Sequence, residues 1–419
     1  MQLPYFTADL PGIGGRLKDH LEDFVVDELP LYEPAGVGEH CYFTIEKRGF
    51  STMQALGHAA RALGRRSMDF GYAGLKDTRA VTRQQFSIEH EPSDRITKME
   101  LPTGLKIVHV TRHRNKLKIG HLAGNRFSIK VRHEDWSRTG GSVGPAMERA
   151  RHILDRLEKT GVPNFFGPQR FGMRKDNHLL GLALLRGDHQ GFLNLWLGNP
   201  DEQVDTGAVL QSRRHFAGGR LDLAAANWPG HLAEERKVLR MLAQKPDSPQ
   251  RAVRAVDVRL KRLLVCALQA FLFNEVLARR LPQFTRVLPG DLAWLHDKGA
   301  VFAVEPDAVE AAQVRADTHE ISPSGPMFGY RMTQPQLEPL QMEDAVLAAN
   351  ELTAADFEKP QAEKTKGGRR AMRFFARHTQ LGSGADERGP FLRLGFELPP
   401  GCFATVLLGE IMKVDVPVD

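Results

Sequence analysis

The stretch Gly71-Tyr-Ala-Gly-Leu-Lys-Asp-Thr-Arg-Ala-Val-Thr-Arg-Gln-Gln-Phe-Ser-Ile88 has the pattern of a strand end, a polar turn and a second strand. Apolar residues lead into Gly74, and Phe86 with Ile88 resumes the alternation of a half-buried strand. The turn holds a single carboxylate, Asp77, among three cations. We therefore expect the surrounding fold to be organised around this junction of strand and loop.

Asp77 is the first candidate for a functional side chain. A strand-to-loop junction holds a side chain in place and leaves it open to a cleft, which suits a catalytic group. If the strand continues through Asp77, its side chain shares a face with Leu75 and opposes Lys76. The local alternative is a carboxylate that caps a surface turn.

The segment Gly74-Leu-Lys-Asp-Thr-Arg-Ala-Val-Thr-Arg-Gln84 resembles the catalytic signature G-x-K-D-x-x-A-x-T-x-Q of the TruD family of tRNA pseudouridine synthases. So many fixed positions rarely coincide by accident. In that family the Asp is the one essential catalytic carboxylate, and the resemblance gives this role to Asp77. It also implies that Lys76 and Gln84 belong to the substrate site.

A second segment resembles the family near the N-terminus. Leu21-Glu-Asp-Phe-Val-Val-Asp-Glu28 is similar to the family's P-E-D-F-x-V-x-E, with Leu21 where proline is usual. The family's Phe contributes to the uracil site, which implies this role for Phe24, with Lys18 nearby. Without the resemblance, a core aromatic on a strand is the better interpretation of Phe24.

Two further segments complete the implied uracil site. Gly124-Asn-Arg-Phe127 resembles the family's G-N-x-F, and Asn125 and Phe127 share one face of a strand. An amide can pair with the edge of uracil, and a ring can stack on its face. Leu398-Pro-Pro-Gly-Cys-Phe-Ala-Thr405 resembles the family's final motif, whose aromatic residue lines the uracil pocket, and the resemblance implies this role for Phe403. A Gly-Asn turn and a core Phe are the alternative for the first segment.

Basic residues indicate where RNA could bind. The stretch Thr111 to Lys118, called the basic turn below, is either a phosphate contact or a solvated hairpin tip, two readings that its composition favours equally. The segment Gly161 to Gly172 resembles the family's second diagnostic segment and predicts an ordered functional loop. The candidate RNA-binding residues are Arg112, Arg114, Lys116, Lys118, Gln169 and Arg170.

The resemblance spans nearly the whole chain and implies an α+β fold with a discontinuous catalytic domain. We expect a pseudouridine-synthase-type domain with a mixed or antiparallel central sheet flanked by helices, into which an α/β TRUD domain is inserted. Expected boundaries are 1–155 and 346–419 for the catalytic domain and 156–345 for the insertion, with the role of stretches 187–228 and 354–366 left open. Local patterns predict a helix at 51–64, two or three strands among 106–110, 116–119 and 126–131, a Gly-rich turn at 382–389, and closing strands at 391–398 and 402–408.

Composition sets wider limits. The 419 residues are 42% hydrophobic and carry a net charge of +6, which permits a polyanionic partner without requiring one. Three distant cysteines, Cys41, Cys266 and Cys402, argue for a reducing compartment and against structural zinc. With no apolar run of membrane-spanning length and no signal-peptide pattern, we expect a cytoplasmic protein without a membrane partner.

The resemblance implies an enzyme that isomerises a uridine of tRNA, at position 13 in the D-arm region. It implies neither a cofactor nor a metal, and we expect a monomer. The residues leave open whether Asp77 attacks uracil C6, attacks ribose C1′ or removes a C2′ proton. The alternatives are a synthase that acts on another RNA and a non-catalytic RNA-binding or chaperone protein on the same scaffold.

Overall fold

The computed structural model describes residues 3–138, 143–359 and 363–414. The strands are β1 (Phe24–Pro30), β2 (His40–Arg48), β3 (Gly71–Tyr72), β4 (Val81–Glu89), β5 (Leu105–His113), β6 (Leu122–Val131), β7 (Val162–Pro163), β8 (Leu292–Leu295), β9 (Ala300–Ala303), β10 (Ile321–Met327), β11 (Gly368–Ala371), β12 (Arg373–Phe374), β13 (Arg377–Asp386) and β14 (Gly389–Leu398).

The helices are distributed along the whole chain. They are α1 (Thr52–Leu63), α2 (Ser93–Thr97), α3 (Glu134–Arg138), α4 (Gly144–Thr160), α5 (Asn177–Arg186), α6 (His189–Leu197), α7 (Gly207–Ala217), α8 (Leu221–Asn227), α9 (Ala233–Gln244), α10 (Pro249–Arg254), α11 (Val258–Arg280), α12 (Val309–Asp317), α13 (Leu337–Ala349) and α14 (Ala404–Met412). In the described part of the chain, none of these helices is both long and apolar enough to span a bilayer.

The chain divides into two compact units. The terminal unit combines Tyr5–Val162 with the segment that begins at Phe374, and the inserted unit consists mainly of Pro163–Arg373. The boundary predicted after residue 345 falls inside α13, and the chain leaves the inserted unit only after β11 has paired with β10. The assignment of these units to a catalytic and a TRUD domain stays a prediction.

The terminal unit is built on an eight-stranded sheet. Its order is β13-β14-β6-β1-β4-β2-β5, with β3 paired to β4. β1 and β4 run parallel, whereas the other described pairs are antiparallel. The predicted α+β class with a mixed central sheet is therefore confirmed. Residues of alternate positions point to the same face, so the register of these strands decides which side chains meet.

Helix α1 covers one face of this sheet, as the sequence predicts for 51–64. Ser51 accepts a hydrogen bond from the Gln54 amide in a capping box, and Gly64 ends the helix with a positive φ of 66°. The apolar side of α1, with Leu56 and Leu63, packs against Phe43 and other residues of the sheet. The start of α1 is thus held beside the strands that precede and follow Asp77.

Three local predictions were wrong. Residues 116–119 form an irregular connection between β5 and β6, and 402–408 enters α14. A short apolar run does not distinguish a buried strand from a buried helix, and α14 is buried along nearly its whole length. The Gly-rich segment 382–389 lies largely in β13, where Gly384 leaves space for the ring of Phe391.

The inserted unit is mostly helical with a small sheet of its own. Its four strands have the order β11-β10-β8-β9, and all described pairs are antiparallel. This arrangement is α+β in detail, because helices and strands do not alternate in parallel βαβ units. The stretch 187–228 contributes Phe192, Trp196 and Trp228 to the helical core, so it is an integral part of this unit.

Candidate active site

Asp77 lies in the loop between β3 and β4, called the Asp77 loop (73–80). The strand ends at Tyr72, so Asp77 is outside the regular strand that its neighbours suggested. Exposure nevertheless alternates along the loop: Leu75 is 70% exposed, Lys76 is 8% exposed, and the Asp77 side chain is 35% exposed. The Asp77 carboxylate and the Leu75 side chain are therefore both open to solvent, whereas Lys76 points into the protein.

Lys18 is the direct partner of Asp77. Its Nζ lies 3.0 Å from Asp77 Oδ1 and 4.5 Å from the ring centroid of Phe24. The Lys18 backbone has a positive φ of 59°, and its carbonyl accepts a hydrogen bond from Arg79 at 3.2 Å. The buried ammonium thus joins a carboxylate to an aromatic face, where it contributes both ion pairing and cation–π attraction. The structure brings together Lys18, Phe24 and Asp77.

Lys76 and Gln84 lie beneath the loop. Lys76 Nζ is 2.7 Å from Glu28 Oε2, and both side chains are buried. Gln84 accepts a hydrogen bond from Thr52 Oγ1 at 2.9 Å and donates to the Gly74 carbonyl. The observed partners of both side chains are therefore protein groups, and these contacts hold the two ends of the Gly74–Lys76 segment.

Thr52 and Lys47 are two residues of this network that the sequence analysis missed. Thr52 Oγ1 accepts from the Lys76 amide at 2.9 Å and from Lys47 Nζ at 3.5 Å, while it donates to Gln84. One hydroxyl at the start of α1 thus connects the loop backbone to β2 and β4. Its loss would leave several buried polar groups unsatisfied.

Lys47 is fully buried at the end of β2, and its Nζ also donates to the Phe50 carbonyl at 3.4 Å. Burial, together with the nearby positive charge of Lys76, lowers the pKa of Lys47 to about 8. A strand signal could have identified it, because Cys41, Phe43, Ile45 and Lys47 occupy alternate positions and all point inward.

The candidate uracil-binding residues on β1 and β6 share the inward face of the sheet. Phe127 lies opposite Val26 on β1 and Phe396 on β14. Its ring is only 7% exposed, stacks on Phe396 at 5.2 Å, and meets Phe24 edge-on at 6.1 Å between centroids. In this structure the rings of Phe24 and Phe127 therefore pack as parts of the core of the terminal unit.

Asn125 lies beside these rings, opposite Glu28 on β1 and Leu398 on β14. Its Oδ1 is buried and accepts no hydrogen bond from the described residues. An orphaned buried acceptor is uncommon, and a ligand is one way to satisfy it. Phe403, the remaining predicted pocket residue, is half-buried and immediately precedes α14.

The four cations of the basic turn fall into two pairs. Arg112 donates to the carbonyls of Gly38 and Glu91, and Lys116 donates to the Met68 carbonyl at 3.2 Å. Arg114 and Lys118 are exposed, and neither forms an ion pair with a described residue. Two of the four cations of the turn therefore bind backbone carbonyls of other segments of the chain.

Gln169 and Arg170 lie in a short 3₁₀ turn, Pro168–Phe171, of the inserted unit. Gln169 is exposed, and the Arg170 guanidinium lies 5.7 Å from the ring centroid of Phe166. Asn274 on α11 bonds both the amide and the carbonyl of Phe166, at 2.8 and 3.0 Å. The predicted loop is thus anchored by a side chain of a long buried helix.

Potential metal ligands converge elsewhere. Within the described ranges, the group whose ligand atoms come together is Glu39, Glu89 and His90, and all three residues are exposed. Glu89 ends β4 and His90 follows it, whereas the Asp77 loop precedes the start of β4, and exposed acidic groups of this kind are common on protein surfaces. It gives no reason to assign a metal to the candidate active site.

Comparison with known proteins gives consistent matches over the whole chain. The family profile described as tRNA pseudouridine synthase D (TruD) matches residues 1–411. The chain is 42% identical over 410 residues to tRNA pseudouridine synthase D of Geotalea daltonii, covering 98% of this chain and 99% of the relative. It is 44% identical over 409 residues to the Geobacter metallireducens protein of the same name, with 98% and 97% covered.

A solved structure agrees with these sequence matches. The fold is similar to a crystal structure of a Methanosarcina mazei protein assigned to tRNA pseudouridine synthase D, with a TM-score of 0.83, 26% identity and 99% of both chains covered. The signature around Asp77, the mixed sheet and the full-length matches all point to the same family. The chain belongs to the TruD family of tRNA pseudouridine synthases.

Proposed function

We propose that this tRNA pseudouridine synthase isomerises the uridine at position 13, in the D-arm region of tRNA, with Asp77 as the catalytic carboxylate. The observation that carries the proposal is the partly exposed Asp77 side chain, held at 3.0 Å by the buried ammonium of Lys18. The reaction conserves composition: the N1–C1′ bond breaks, a C5–C1′ bond forms, and the proton lost from C5 is balanced by one gained at N1.

Asp77 has three available roles in this reaction. Its carboxylate attacks uracil C6, attacks ribose C1′, or removes a proton from C2′, and each role requires an ionised oxygen directed into the substrate cleft. Lys18 holds one oxygen of the carboxylate by its direct contact at 3.0 Å and limits the rotation of the group. The amide of Lys76 and the carbonyl of Gly74, both held through Thr52 and Gln84, restrain the preceding backbone.

The pocket for the extruded uracil is assigned to Phe24, Asn125, Phe127 and Phe403. The unpaired Oδ1 of Asn125 supports this proposal, because it could accept the N3–H of uracil. Phe127, adjacent on the same strand face, would then contact the base, although its ring is now stacked on Phe396. Binding in that position requires either a small ring movement or contact through the ring edge.

The RNA is proposed to reach the site along positively charged surfaces. Arg114 and Lys118 of the basic turn are exposed and available for phosphate contacts, whereas Arg112 and Lys116 also bind protein carbonyls. Gln169 and Arg170 of the inserted unit are further candidates. We propose that the enzyme acts in the cytoplasm as a monomer on tRNA, without a metal.

The direct test is pseudouridine mapping of total RNA from cells with and without this gene, with plasmids encoding the wild type or Asp77→Asn. We expect one tRNA position to lose pseudouridine in the deletion strain and to regain it with the wild type only. Loss at a different RNA would establish the alternative substrate. A map unchanged by deletion, together with RNA binding by the purified protein, would favour the non-catalytic alternative.

A further inference from the structure

Three large apolar side chains are exposed on three segments: Met68 on a 3₁₀ turn (Ser67–Asp69), Leu75 on the Asp77 loop, and Ile119 on the connection between β5 and β6. Leu75 in the Asp77 loop is 70% exposed, Met68 is 72% exposed, and Ile119 is 76% exposed. We call these three residues the apolar lip. A single exposed apolar residue needs no explanation, but several on adjoining segments beside a site indicate a contact surface.

Hydrogen bonds join the connection that carries Ile119 to the other two segments of the lip. The amide of Gly120 donates to the Ala73 carbonyl at 2.8 Å, and Lys116 Nζ donates to the Met68 carbonyl at 3.2 Å. The intervening Leu117 amide donates to Ser87 Oγ on β4 at 3.0 Å. The exposed side chains are therefore mounted on anchored backbone, and their exposure does not arise from a free chain end.

Leu75 is the residue of the lip that lies nearest to Asp77 in the chain. Leu75 is two residues from Asp77, and the residue between them, Lys76, points inward to Glu28. Leu75 and the Asp77 carboxylate are thus both open to solvent, whereas the Lys76 side chain between them is buried. A substrate that reaches Asp77 must pass close to the Leu75 side chain.

The charge around the lip fits RNA. Arg79 follows Asp77 in the same loop, Lys118 precedes Ile119, and both are exposed. Asp69, the acidic neighbour of Met68, is paired with Arg66. Cations bordering an apolar surface are suited to a nucleic acid, since phosphates bind the cations and a base face contacts the apolar side chains.

We propose that the apolar lip, with Leu75 as its central residue, contacts the bases next to the target and occupies the space left when the uridine leaves the stack. Apolar side chains such as Leu, Ile and Met act as wedges between base steps in other nucleic-acid complexes. The lip would lower the cost of extruding the base, which is a few kcal/mol for a stacked nucleotide. This inference rests on the proposed function of the same site.

The test compares two RNA substrates and two readouts. Wild type, Leu75→Ala and Leu75→Met are assayed in single turnover on a tRNA transcript and on a matched RNA whose target uridine lies in an open, unpaired segment. Leu75→Ala should slow the reaction on the tRNA by about ten- to a hundredfold, because a base-sized contact is lost. On the open RNA the rate should fall less than about threefold, since extrusion is no longer needed. Leu75→Met should retain most of the rate on both.

A second readout follows extrusion without chemistry. A 2-aminopurine base next to the target should brighten on binding Asp77→Asn and should brighten much less on binding the double variant Leu75→Ala/Asp77→Asn. Val108→Ala, on the outermost strand β5, removes comparable apolar surface and should behave as the wild type. Melting temperatures of all variants should agree, because the exposed Leu75 side chain contributes little to folding.

The outcomes separate this inference from the proposed function. The wedge role would be overturned if Leu75→Ala slowed the reaction equally on both RNAs, or if the 2-aminopurine brightened as much with Leu75→Ala/Asp77→Asn as with Asp77→Asn. Either result would leave the synthase activity intact. If the wild type formed no pseudouridine on both RNAs, the proposed function would be overturned instead, whatever the fluorescence shows.

Discussion

The Asp77 loop and the basic turn both present charged side chains in the terminal unit, but they hold them in opposite ways. Around Asp77, the ammonium groups of Lys18, Lys47 and Lys76 are buried, and each binds a carboxylate, hydroxyl or carbonyl at a defined distance. In the basic turn, Arg114 and Lys118 are exposed and have no carboxylate partner among the described residues.

This difference has an energetic meaning. Buried charges are costly to desolvate and keep a defined geometry only when their partners are in place, so substitutions there should alter catalysis or folding strongly. Exposed cations are screened by salt and act mainly on association with a polyanion. The two regions should therefore separate chemistry from binding, and the following substitutions test that separation.

The largest effect is expected for Asp77→Asn. Loss of the only proposed catalytic carboxylate should reduce single-turnover isomerisation by about 10³-fold or more, as loss of an essential acid–base or nucleophilic group does. RNA affinity should stay within a few-fold, because many phosphate contacts remain. Filter binding and pseudouridine assays on the same sample measure both. Appreciable residual turnover would exclude Asp77 as the nucleophile, and a tenfold gain in affinity would indicate that the carboxylate repels bound RNA.

Phe127→Ala should have the next largest effect. It tests whether the Phe127 ring binds the uracil or only packs in the core. If Phe127 holds the uracil, catalytic efficiency should fall about ten- to a hundredfold, since a stacked base contributes about 1–3 kcal/mol. Its burial against Phe24 and Phe396 also predicts a loss of about 3–5 kcal/mol in unfolding free energy.

The control for Phe127→Ala is Phe396→Ala, which removes the stacked partner without touching the proposed uracil contact. Thermal melting and single-turnover kinetics should be measured together. A Phe127→Ala protein whose folded fraction turns over at the wild-type rate would assign the ring to the core alone.

Lys47 gives a pH-dependent prediction for stability. Its pKa of about 8 in the folded protein lies below that of a free lysine, so between these values the unfolded chain binds the proton that the folded chain has lost. Stability should therefore rise with pH above about 8, by about 3 kcal/mol up to pH 10.5. Urea unfolding at pH 7.5 and pH 10 measures the change. Lys47→Met, which cannot titrate, should lack this rise, and an equal rise in both proteins would show that other groups cause it.

Thr52→Val should lower the catalytic rate less than Asp77→Asn does, while RNA binding stays unchanged. It removes the hydroxyl that connects Lys76, Lys47 and Gln84, and we expect the rate constant at saturating RNA to fall about tenfold through misplacement of the Asp77 loop. Thr52→Ser keeps the hydroxyl and should restore most of the rate. Thr82→Val is the matched control for stability, because the buried Thr82 hydroxyl has no hydrogen-bond partner among the described residues. An unchanged rate for Thr52→Val would restrict the network to folding.

The smallest effects are expected in the basic turn. Arg114→Gln and Lys118→Gln should weaken tRNA binding and reduce its salt dependence by about 0.7–0.9 per lost phosphate contact, without changing the rate at saturating RNA. Arg112→Gln, by contrast, should lower the melting temperature because Arg112 donates to two carbonyls. An unchanged salt slope for the double variant would assign Arg114 and Lys118 to bulk solvent.

Several features followed from the sequence because they depend on local or covalent patterns. Single segments of the sequence were enough to predict the capped helix at 51–64, the strand pattern from Phe86 to Ile88 and the family signature around Asp77. The same local patterns failed for 402–408, because the burial that stabilises α14 comes from residues distant in sequence.

What the tertiary structure alone decided is where each polar group finds its partner. The motif places Lys76 beside Asp77 and Gln84 seven residues after it, yet Lys76 pairs with Glu28 and Gln84 bonds Thr52, both from other elements. Lys18, distant in sequence, contacts the carboxylate instead. The residue types and their order determined the family, whereas strand register and burial determined which cation contacts Asp77. The physical reason is that a charge removed from water must be matched by whichever partner the fold brings within hydrogen-bonding distance.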